Sequence, residues 1–147
     1  MVAGMTLTDS ELAYLSTQRL GRLATVAPDG SPQNNPVGFH YNPRTETIDI
    51  YGLNMGATRK FRNVRSNPNV ALVVDDLASV EPWQVRGVEI RGNAEALTGE
   101  APPTASLSRE IIRIHPRRVI SWNIDPDQPD RSARDGTADE SRGVQVA

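Results

Sequence analysis

The chain has 147 residues, of which 37% are hydrophobic and 23% are charged, and it contains no cysteine. This length suits one domain with a hydrophobic core, and disulfides, thiolate nucleophiles and cysteine-ligated zinc are excluded. A formal net charge of −2 argues against a nucleic-acid-binding protein. No stretch reaches the roughly 20 apolar residues that span a bilayer. We therefore expect a cytoplasmic protein that binds neither nucleic acid nor a membrane.

The first half of the chain predicts a short helix and three strands. Thr8-Asp9-Ser10-Glu11 is a capping box, which starts a helix that ends near Thr17. Turn-forming sequences follow at residues 28–31 and 42–45. They separate three segments with strand character, at residues 20–27, 32–41 and 47–52. Short turns between neighbouring strands predict an antiparallel meander.

The second half predicts helices and strands in alternation. A helix spans residues 57–66, with Phe61 and Val64 turned inward, and a strand buried on both faces follows at residues 70–74. Gly87 and Gly92 indicate bulges or a sharp bend in a long strand. The remaining predicted elements are a loop at residues 75–82, this long strand at residues 83–97, a helix at residues 105–114 and a last strand at residues 119–124.

These elements predict a mainly β fold with few helices. Six strands with short turns favour a small antiparallel β-barrel, which leaves no exposed sheet edge. A four-stranded sheet with helices on one face is the alternative. Residues 1–125 form the predicted domain, and the polar residues 126–147 form a tail that is mobile or packed against a partner.

A basic segment follows the third strand. Arg59, Lys60, Arg62 and Arg65 place four of the chain's sixteen cationic side chains within seven residues, and Lys60 is its only lysine. A helix that begins here offers backbone N–H groups, a favourable dipole and positive charge, which together suit a phosphate. A solvated basic helix face is the alternative interpretation.

The second predicted strand is unusually polar. Gln33, Asn34 and Asn35 lie between two prolines, where a barrel strand would alternate apolar residues. Amide side chains beside a cavity could hydrogen-bond the edge of a planar heterocycle, whereas a hydrated edge strand would also contain prolines. Both interpretations fit these residues.

The sequence assigns no catalytic residue and no metal site. His40 and His115 are its two histidines, and their neighbours form no triad or metal-ligand pattern, so we expect packing or surface roles for both. Asp75 and Asp76 end an apolar strand without further ligands nearby. That arrangement favours the start of a loop over a metal-binding pair.

Four short motifs follow one another in a characteristic order: Gly30-Ser31-Pro32-Gln33, Tyr51-Gly52, Thr58-Arg59-Lys60 and Asn67-Pro68-Asn69-Val70-Ala71-Leu72. In this order and spacing, residues 10–98 resemble the pyridoxamine 5'-phosphate oxidase-like superfamily of flavin-type split β-barrels. The resemblance implies a six-stranded antiparallel split β-barrel with short flanking helices. It also implies a homodimer with two cofactor sites between its subunits.

The resemblance further implies a set of cofactor-binding residues. Arg59 and Lys60 match the pair that binds the cofactor phosphate, with Thr58 as a hydroxyl donor at the helix start. The strand that touches the ring system is matched by Gln33, Asn35 and Val37. The strand end near the phosphate and ribityl chain is matched by Tyr51 and Gly52. The segment that reaches the cofactor of the second subunit is matched by Trp83 and Gln84.

The arginine-rich composition and the segment Pro116–Trp122 are more similar to the actinobacterial branch that uses the deazaflavin F420 than to the true oxidase. F420 carries a phosphate and an acidic oligoglutamate tail, which Arg62 and Arg65 could guide, whereas FMN lacks the tail. The implied function is an F420-dependent oxidoreductase that transfers a hydride from the reduced deazaflavin to an activated double bond of a small organic substrate. An FMN-dependent reductase or oxidase is the alternative, and a non-catalytic flavin- or haem-binding protein is a third reading.

Overall fold

Eight strands form one antiparallel sheet in the computed structural model, which describes residues 5–127 and 131–136. The strands are β1 (Leu20–Val26), β2 (Pro32–Gly38), β3 (His40–Asn42), β4 (Thr47–Ile50), β5 (Asn69–Ser79), β6 (Gln84–Leu97), β7 (Ile111–Trp122) and β8 (Ser132–Asp135). Two helices, α1 (Asp9–Ser16) and α2 (Arg59–Ser66), and a 3₁₀ turn (Met55–Ala57) accompany the sheet. The described chain is therefore mainly β with few helices, as predicted.

The sheet curls back on itself. Its strand order is β2-β1-β5-β6-β7-β4-β3, with β8 paired to β7. The strands at the two ends of this order, β2 and β3, are separated in the chain only by Phe39, so the two edges of the sheet must lie near each other. Apolar side chains such as Ile48, Ile50 and Leu72 are fully buried inside the curl and form the core. A curled antiparallel half-barrel is thus confirmed.

The sequence predicts six strands, whereas the described residues form eight. The second predicted strand is broken at Phe39 into β2, which pairs with β1, and β3, which pairs with β4. The eighth strand comes from the predicted tail, because β8 pairs with β7. The tail is therefore in part a strand of the sheet, and its residues 128–130 and 137–147 lie outside the described part of the chain.

Two predicted elements are wrong. The predicted loop at residues 75–82 is largely strand, because β5 continues to Ser79 opposite β6. In the predicted helix at residues 105–114, residues 105–110 form a loop and residues 111–114 begin β7. The predicted last strand is the second half of β7. Ile111, Ile112 and Ile114 are fully buried at the start of that strand. β-Branched residues fit a buried pleated strand well. Pairing with β6 therefore makes this segment a strand and not a helix.

The two glycines of β6 have different roles. The register between β6 and β7 shifts at Gly92, so the predicted bulge is confirmed there. A Cβ atom at Gly92 would lie 2.1 Å from the carbonyl oxygen of His115, which only glycine allows. Gly87 lies in an unshifted part of the β5–β6 ladder, so it does not mark a bulge. A Cβ atom at Gly87 would lie 2.8 Å from the carbonyl oxygen of Val74, and this close approach of β5 explains the glycine.

Both helices begin at residues with capping side chains. Thr8 Oγ1 accepts the Glu11 N–H at 3.2 Å, and the Glu11 carboxylate accepts the Thr8 N–H at 2.8 Å, so the predicted capping box is confirmed. α2 begins two residues later than predicted, because Thr58 is its N-cap and the 3₁₀ turn precedes it. Neither described helix has the length and apolar character needed to cross a membrane.

Candidate functional site

The basic segment lines a cleft beside the start of α2. The cleft has a volume of about 480 Å³, and the turn between β1 and β2 supplies the rest of its lining. The lining residues are Ala27, Pro28, Asp29, Ser31, Arg59, Arg62 and Asn63. We call this cavity the α2 cleft. Of the four basic residues singled out from the sequence, it brings together Arg59 and Arg62, whereas Lys60 and Arg65 do not line it.

Thr58 holds the start of α2 in place. Its hydroxyl oxygen accepts the N–H of Phe61 at 3.3 Å, and its hydroxyl proton is donated to the carbonyl oxygen of Met55 at 2.7 Å. The buried side chains of Phe61 and Val64 fix the inner face of the same helix, as predicted. In this arrangement Thr58 fixes the direction of the free backbone N–H groups at the helix start, while its own proton is already engaged.

The positive charge of α2 is unpaired within residues 5–127 and 131–136. No carboxylate there forms a salt bridge with Arg59, Lys60, Arg62 or Arg65. Arg62 Nη1 donates to the carbonyl oxygen of Ala57 at 3.1 Å, and the Arg65 guanidinium lies 4.8 Å from the centre of the Phe61 ring. These contacts orient two of the side chains but leave their charge uncompensated.

Asp29 is the acidic residue of the α2 cleft. Its carboxylate accepts hydrogen bonds from the Ser31 hydroxyl at 2.5 Å and the Ser31 N–H at 3.0 Å. These two bonds, the hydroxyl first, hold the pKa of Asp29 below its usual value. Asp29 is therefore ionised at neutral pH, and it offsets part of the positive potential on that side of the cleft.

Asn63 is a site residue that the sequence analysis missed. Its Nδ2 donates to Thr25 Oγ1 and to Gln33 Oε1, each at 3.0 Å, and the residue is buried. These bonds tie α2 to β1 and β2 beneath the cleft. The signal in the sequence is a polar residue at a helix position whose neighbours Phe61 and Val64 are buried.

The predicted ring-contacting residues share one face of β2. Gln33, Asn35 and Val37 lie opposite the buried residues Thr25, Leu23 and Gly21 of β1. Val37 is a core residue with 6% of its surface exposed, and Gln33 and Asn35 are half-buried. The structure thus connects Gln33 to the α2 cleft through Asn63, and it places Val37 in the hydrophobic core of the single chain.

Tyr51 and Gly52 lie in the segment that follows β4, and neither lines the α2 cleft. The Gly52 carbonyl oxygen accepts the Ser108 N–H at 2.8 Å, which fixes the loop before β7. Tyr51 lines a second cleft, with a volume of about 400 Å³. Its lining residues are His40, Tyr41, Asn42, Pro43, Arg44, Tyr51, Glu100, Ala101, Pro103 and Arg113. We call this cavity the β3 cleft.

A buried ion pair lies beneath the β3 cleft. The fully buried Asp49 accepts two hydrogen bonds from Arg113, both at 3.1 Å, and others from Thr47 and Asn42. Arg113 also donates to Glu100 at 3.1 Å. These carboxylates raise the pKa of Arg113, with the hydrogen bond to Asp49 as the main cause, so the guanidinium remains charged. No group of three or more metal-ligating side chains occurs within the described residues.

Trp83 and Gln84 are exposed at the hairpin between β5 and β6, and they line neither cleft. Trp83 exposes 67% of its surface. Exposed large apolar neighbours on the same hairpin are Leu77, Val80 and Val85. The structure of one chain therefore does not bring these two predicted residues to the α2 cleft.

The fold agrees with the comparisons to known proteins. The family model for pyridoxamine 5'-phosphate oxidase matches residues 7–145. The chain therefore belongs to the pyridoxamine 5'-phosphate oxidase family, as its motifs predicted.

Individual relatives narrow the comparison. The chain is 46% identical over 138 residues to a 5a,11a-dehydrotetracycline/5a,11a-dehydrooxytetracycline reductase of Streptomyces rimosus, covering 92% of this chain and 97% of that protein. A solved structure of an F420 reductase is 26% identical, with a TM-score of 0.60, and covers 77% of this chain and 98% of its own. A heme binding protein from Mycobacterium smegmatis shares the fold at 15% identity and a TM-score of 0.64, with 91% of this chain and 60% of that one covered. The comparisons therefore support an oxidoreductase with a flavin or deazaflavin cofactor.

Proposed function

We propose that this chain is an F420-dependent reductase that transfers a hydride to an activated carbon–carbon double bond of a fused-ring substrate. The observation that carries the proposal is the 46% identity with the dehydrotetracycline reductase over 92% of the chain. The name of that relative's substrates marks an unsaturation between ring positions 5a and 11a. A shared reaction class would make this chain add hydrogen across a similar bond.

The chemistry of the α2 cleft fits an acidic, phosphate-bearing cofactor. Arg59 and Arg62 line the cleft with no carboxylate partner among the described residues, and the first N–H groups of α2 point out of the same helix end. We propose that Arg59 and Lys60 bind the phosphate and that Arg62 and Arg65 attract the oligoglutamate tail. The bound deazaflavin would supply the carbon that carries the hydride. The residues of the chain would orient it and exclude water.

FMN is the alternative cofactor, because the family model that matches the chain is that of pyridoxamine 5'-phosphate oxidase. FMN also carries a phosphate, so Arg59 and Lys60 would serve either molecule. Arg62 and Arg65 favour F420, because FMN offers them no acidic tail. Haem is less favoured, since the likeness to the heme binding protein is at 15% identity and concerns the fold alone.

We further propose that the chain is a homodimer. Leu77, Val80, Trp83 and Val85 expose between 40% and 69% of their surface on the β5–β6 hairpin. Several large apolar side chains exposed in one place are typical of an interaction surface. A second copy seated there would bring Trp83 and Gln84 into an interface, where they could reach the cofactor of that copy.

A titration of the purified protein with F420, FMN and haem tests the cofactor part of this proposal. We expect F420 to bind most tightly at low salt, and light scattering to give the mass of a dimer at micromolar concentration. Reduced F420 should then be oxidised when a 5a,11a-dehydrotetracycline is added. Tighter binding of FMN, together with FMN-dependent turnover of the same substrate, would replace F420 by FMN.

A further inference from the structure

Aromatic and imidazole side chains concentrate around the short edge strand β3. The chain has only two phenylalanines, three tyrosines and two histidines. Phe39, His40 and Tyr41 are consecutive at this strand, and the ring of Tyr51 meets that of His40 edge to face, with centroids 6.4 Å apart. The β3 cleft therefore contains three polar rings in a cavity whose volume is within the range of small-molecule sites.

The hydrogen-bonding groups of these rings are not used by the described part of the chain. Tyr14, outside the cleft, shows the contrast: its hydroxyl donates to Asp76 at 2.8 Å and is fully engaged. The hydroxyls of Tyr41 and Tyr51 and the ring nitrogens of His40 make no hydrogen bond to any described residue. Burial raises the pKa of Tyr41 and of Tyr51, so both phenols stay protonated and can donate.

A second cavity of about 390 Å³ borders β3 and shares His40 and Tyr41 with the β3 cleft. Leu12, Leu15 and Phe39 give this cavity an apolar part, and Ser16 and Gln18 complete its lining. The surroundings of β3 thus combine unused polar groups with an apolar surface. A ligand with a flat apolar body and an oxygen-bearing edge would match both.

The floor of the β3 cleft is held rigidly. Asp49 is fully buried and fixed by Arg113, and Arg113 is fixed again by Glu100 from the loop before β7. Because these charges satisfy one another, they do not need a ligand. Their pairing keeps β4, β7 and the loop together, and it leaves the polar rings and Arg44 as the groups that a ligand would meet.

We propose that the β3 cleft is the substrate-binding site, and that it takes a planar fused-ring compound that carries phenol or enol oxygens. The choice of ligand rests on the proposed function, because the reductase relative names fused-ring tetracycline compounds. Tyr41 and Tyr51 would donate hydrogen bonds to the ligand's oxygens, and His40 would contact its ring. None of these three roles requires the cofactor to be bound.

Calorimetric titration of oxytetracycline into the cofactor-free protein, with a chelator present, tests this site. We expect measurable binding to the unchanged chain. Tyr41→Phe and Tyr51→Phe should each weaken it by about 3- to 10-fold, which is the size of one lost hydrogen bond. His40→Gln, at an exposed position, should weaken it by a similar factor without a risk to folding. Tyr14→Phe is the matched control, because it removes a phenol hydroxyl outside the cleft and should leave the affinity for oxytetracycline unchanged.

The outcomes distinguish a failure of this site assignment from a failure of the F420 proposal. No binding of oxytetracycline, or equal affinity in the unchanged chain and the Tyr41→Phe/Tyr51→Phe double variant, would overturn the assignment even if F420 binds well. A Tyr51→Phe variant that weakens F420 but not oxytetracycline would assign Tyr51 to the cofactor and would also overturn it. Loss of oxytetracycline binding in the cleft variants of a protein that does not bind F420 would keep the site and reject the F420 proposal.

Discussion

Two groups of basic side chains in this protein are arranged in opposite ways. Arg113 on β7 is paired with the buried Asp49 of β4 and with Glu100 of the loop before β7. Arg59 and Arg62 on α2 are exposed and have no carboxylate partner in the described residues. All three residues carry the same guanidinium group, so the difference lies in the surroundings of the side chains.

The difference separates charges that serve the fold from charges that are open to a ligand. A buried guanidinium that has lost its partners carries a desolvation penalty, so Arg113 and Asp49 depend on each other. An exposed guanidinium is solvated by water whether or not a ligand is present, so its removal affects little in the free protein. The comparison therefore makes opposite predictions for stability and for binding in the two places.

Asp49→Ala should have the largest effect on stability. It leaves Arg113, whose side chain is only 15% exposed, without its main partner, and such losses cost about 3–5 kcal/mol. We expect the free energy of unfolding in urea to fall by about 3 kcal/mol, since Glu100 still contacts Arg113. Asp135→Ala, which breaks the exposed pair with Arg118, is the control and should cost at most about 1 kcal/mol. A loss below about 1 kcal/mol in Asp49→Ala would mean that the buried pair does not hold the sheet.

Arg59→Ala and Lys60→Ala should weaken cofactor binding far more than they lower stability. A charge-assisted hydrogen bond to a phosphate is worth about 1.5–3 kcal/mol, so each variant should weaken F420 binding by that amount. The free energy of unfolding should change by about 0.5 kcal/mol or less. Arg19→Ala, an exposed arginine outside the α2 cleft, is the matched control for binding. Unchanged F420 affinity in both test variants would return the basic segment to a solvated helix face.

The sequence predicted those parts of the fold that depend on near neighbours. The capping box at Thr8 and the buried face of α2 were readable because each follows from residues within a few positions. The loop predicted after Asp75 and the helix predicted at residues 105–114 were wrong because pairing with β6 decides both. Such pairing depends on the partner strand of a hairpin, and the residues of one segment alone do not report it.

The candidate site likewise has one part that the sequence predicted and one part that it did not. The basic residues of α2 were visible as a cluster in the sequence, and the structure brings Arg59 and Arg62 into one cleft. The bonds of Asn63 to β1 and β2 span 38 and 30 residues, and the pair of Asp49 with Arg113 spans 64. Partners at such separations can be identified only once the sheet is built. The cofactor roles of Trp83 and Gln84 stay predictions, since they depend on a second copy.

The paired charges of Asp76 and Arg86 give the protein a predicted acid dependence. The Arg86 guanidinium, followed by the Tyr14 hydroxyl, holds the pKa of Asp76 below its usual value of 3.8 against the effect of burial. Because the folded pKa is the lower one, this stabilisation is complete above the unfolded pKa and is lost as pH falls through the folded pKa. Asp76→Asn should therefore destabilise the protein by about 1 kcal/mol near pH 7 and by less near pH 3. Urea unfolding at both values measures this, and an equal loss at both would show that Asp76 acts through shape alone.

The smallest expected effect concerns the two arginines that would meet the acidic tail of F420. Exposed charge pairs contribute about 0.2–1 kcal/mol each, so Arg62→Ala/Arg65→Ala should narrow the preference for F420 over FMN by about 1 kcal/mol while FMN affinity stays nearly the same. In the unchanged chain the same preference should shrink as salt rises, because such pairs are screened over about 8–10 Å. The double variant should show a weaker salt dependence, and this second measurement separates a lost charge pair from a general loss of packing beside Phe61. Arg91→Ala/Arg118→Ala removes two half-exposed arginines from the sheet and is the control for net charge. If the α2 double variant weakens F420 and FMN equally, the two arginines bind no tail, and FMN becomes the better candidate for this cleft.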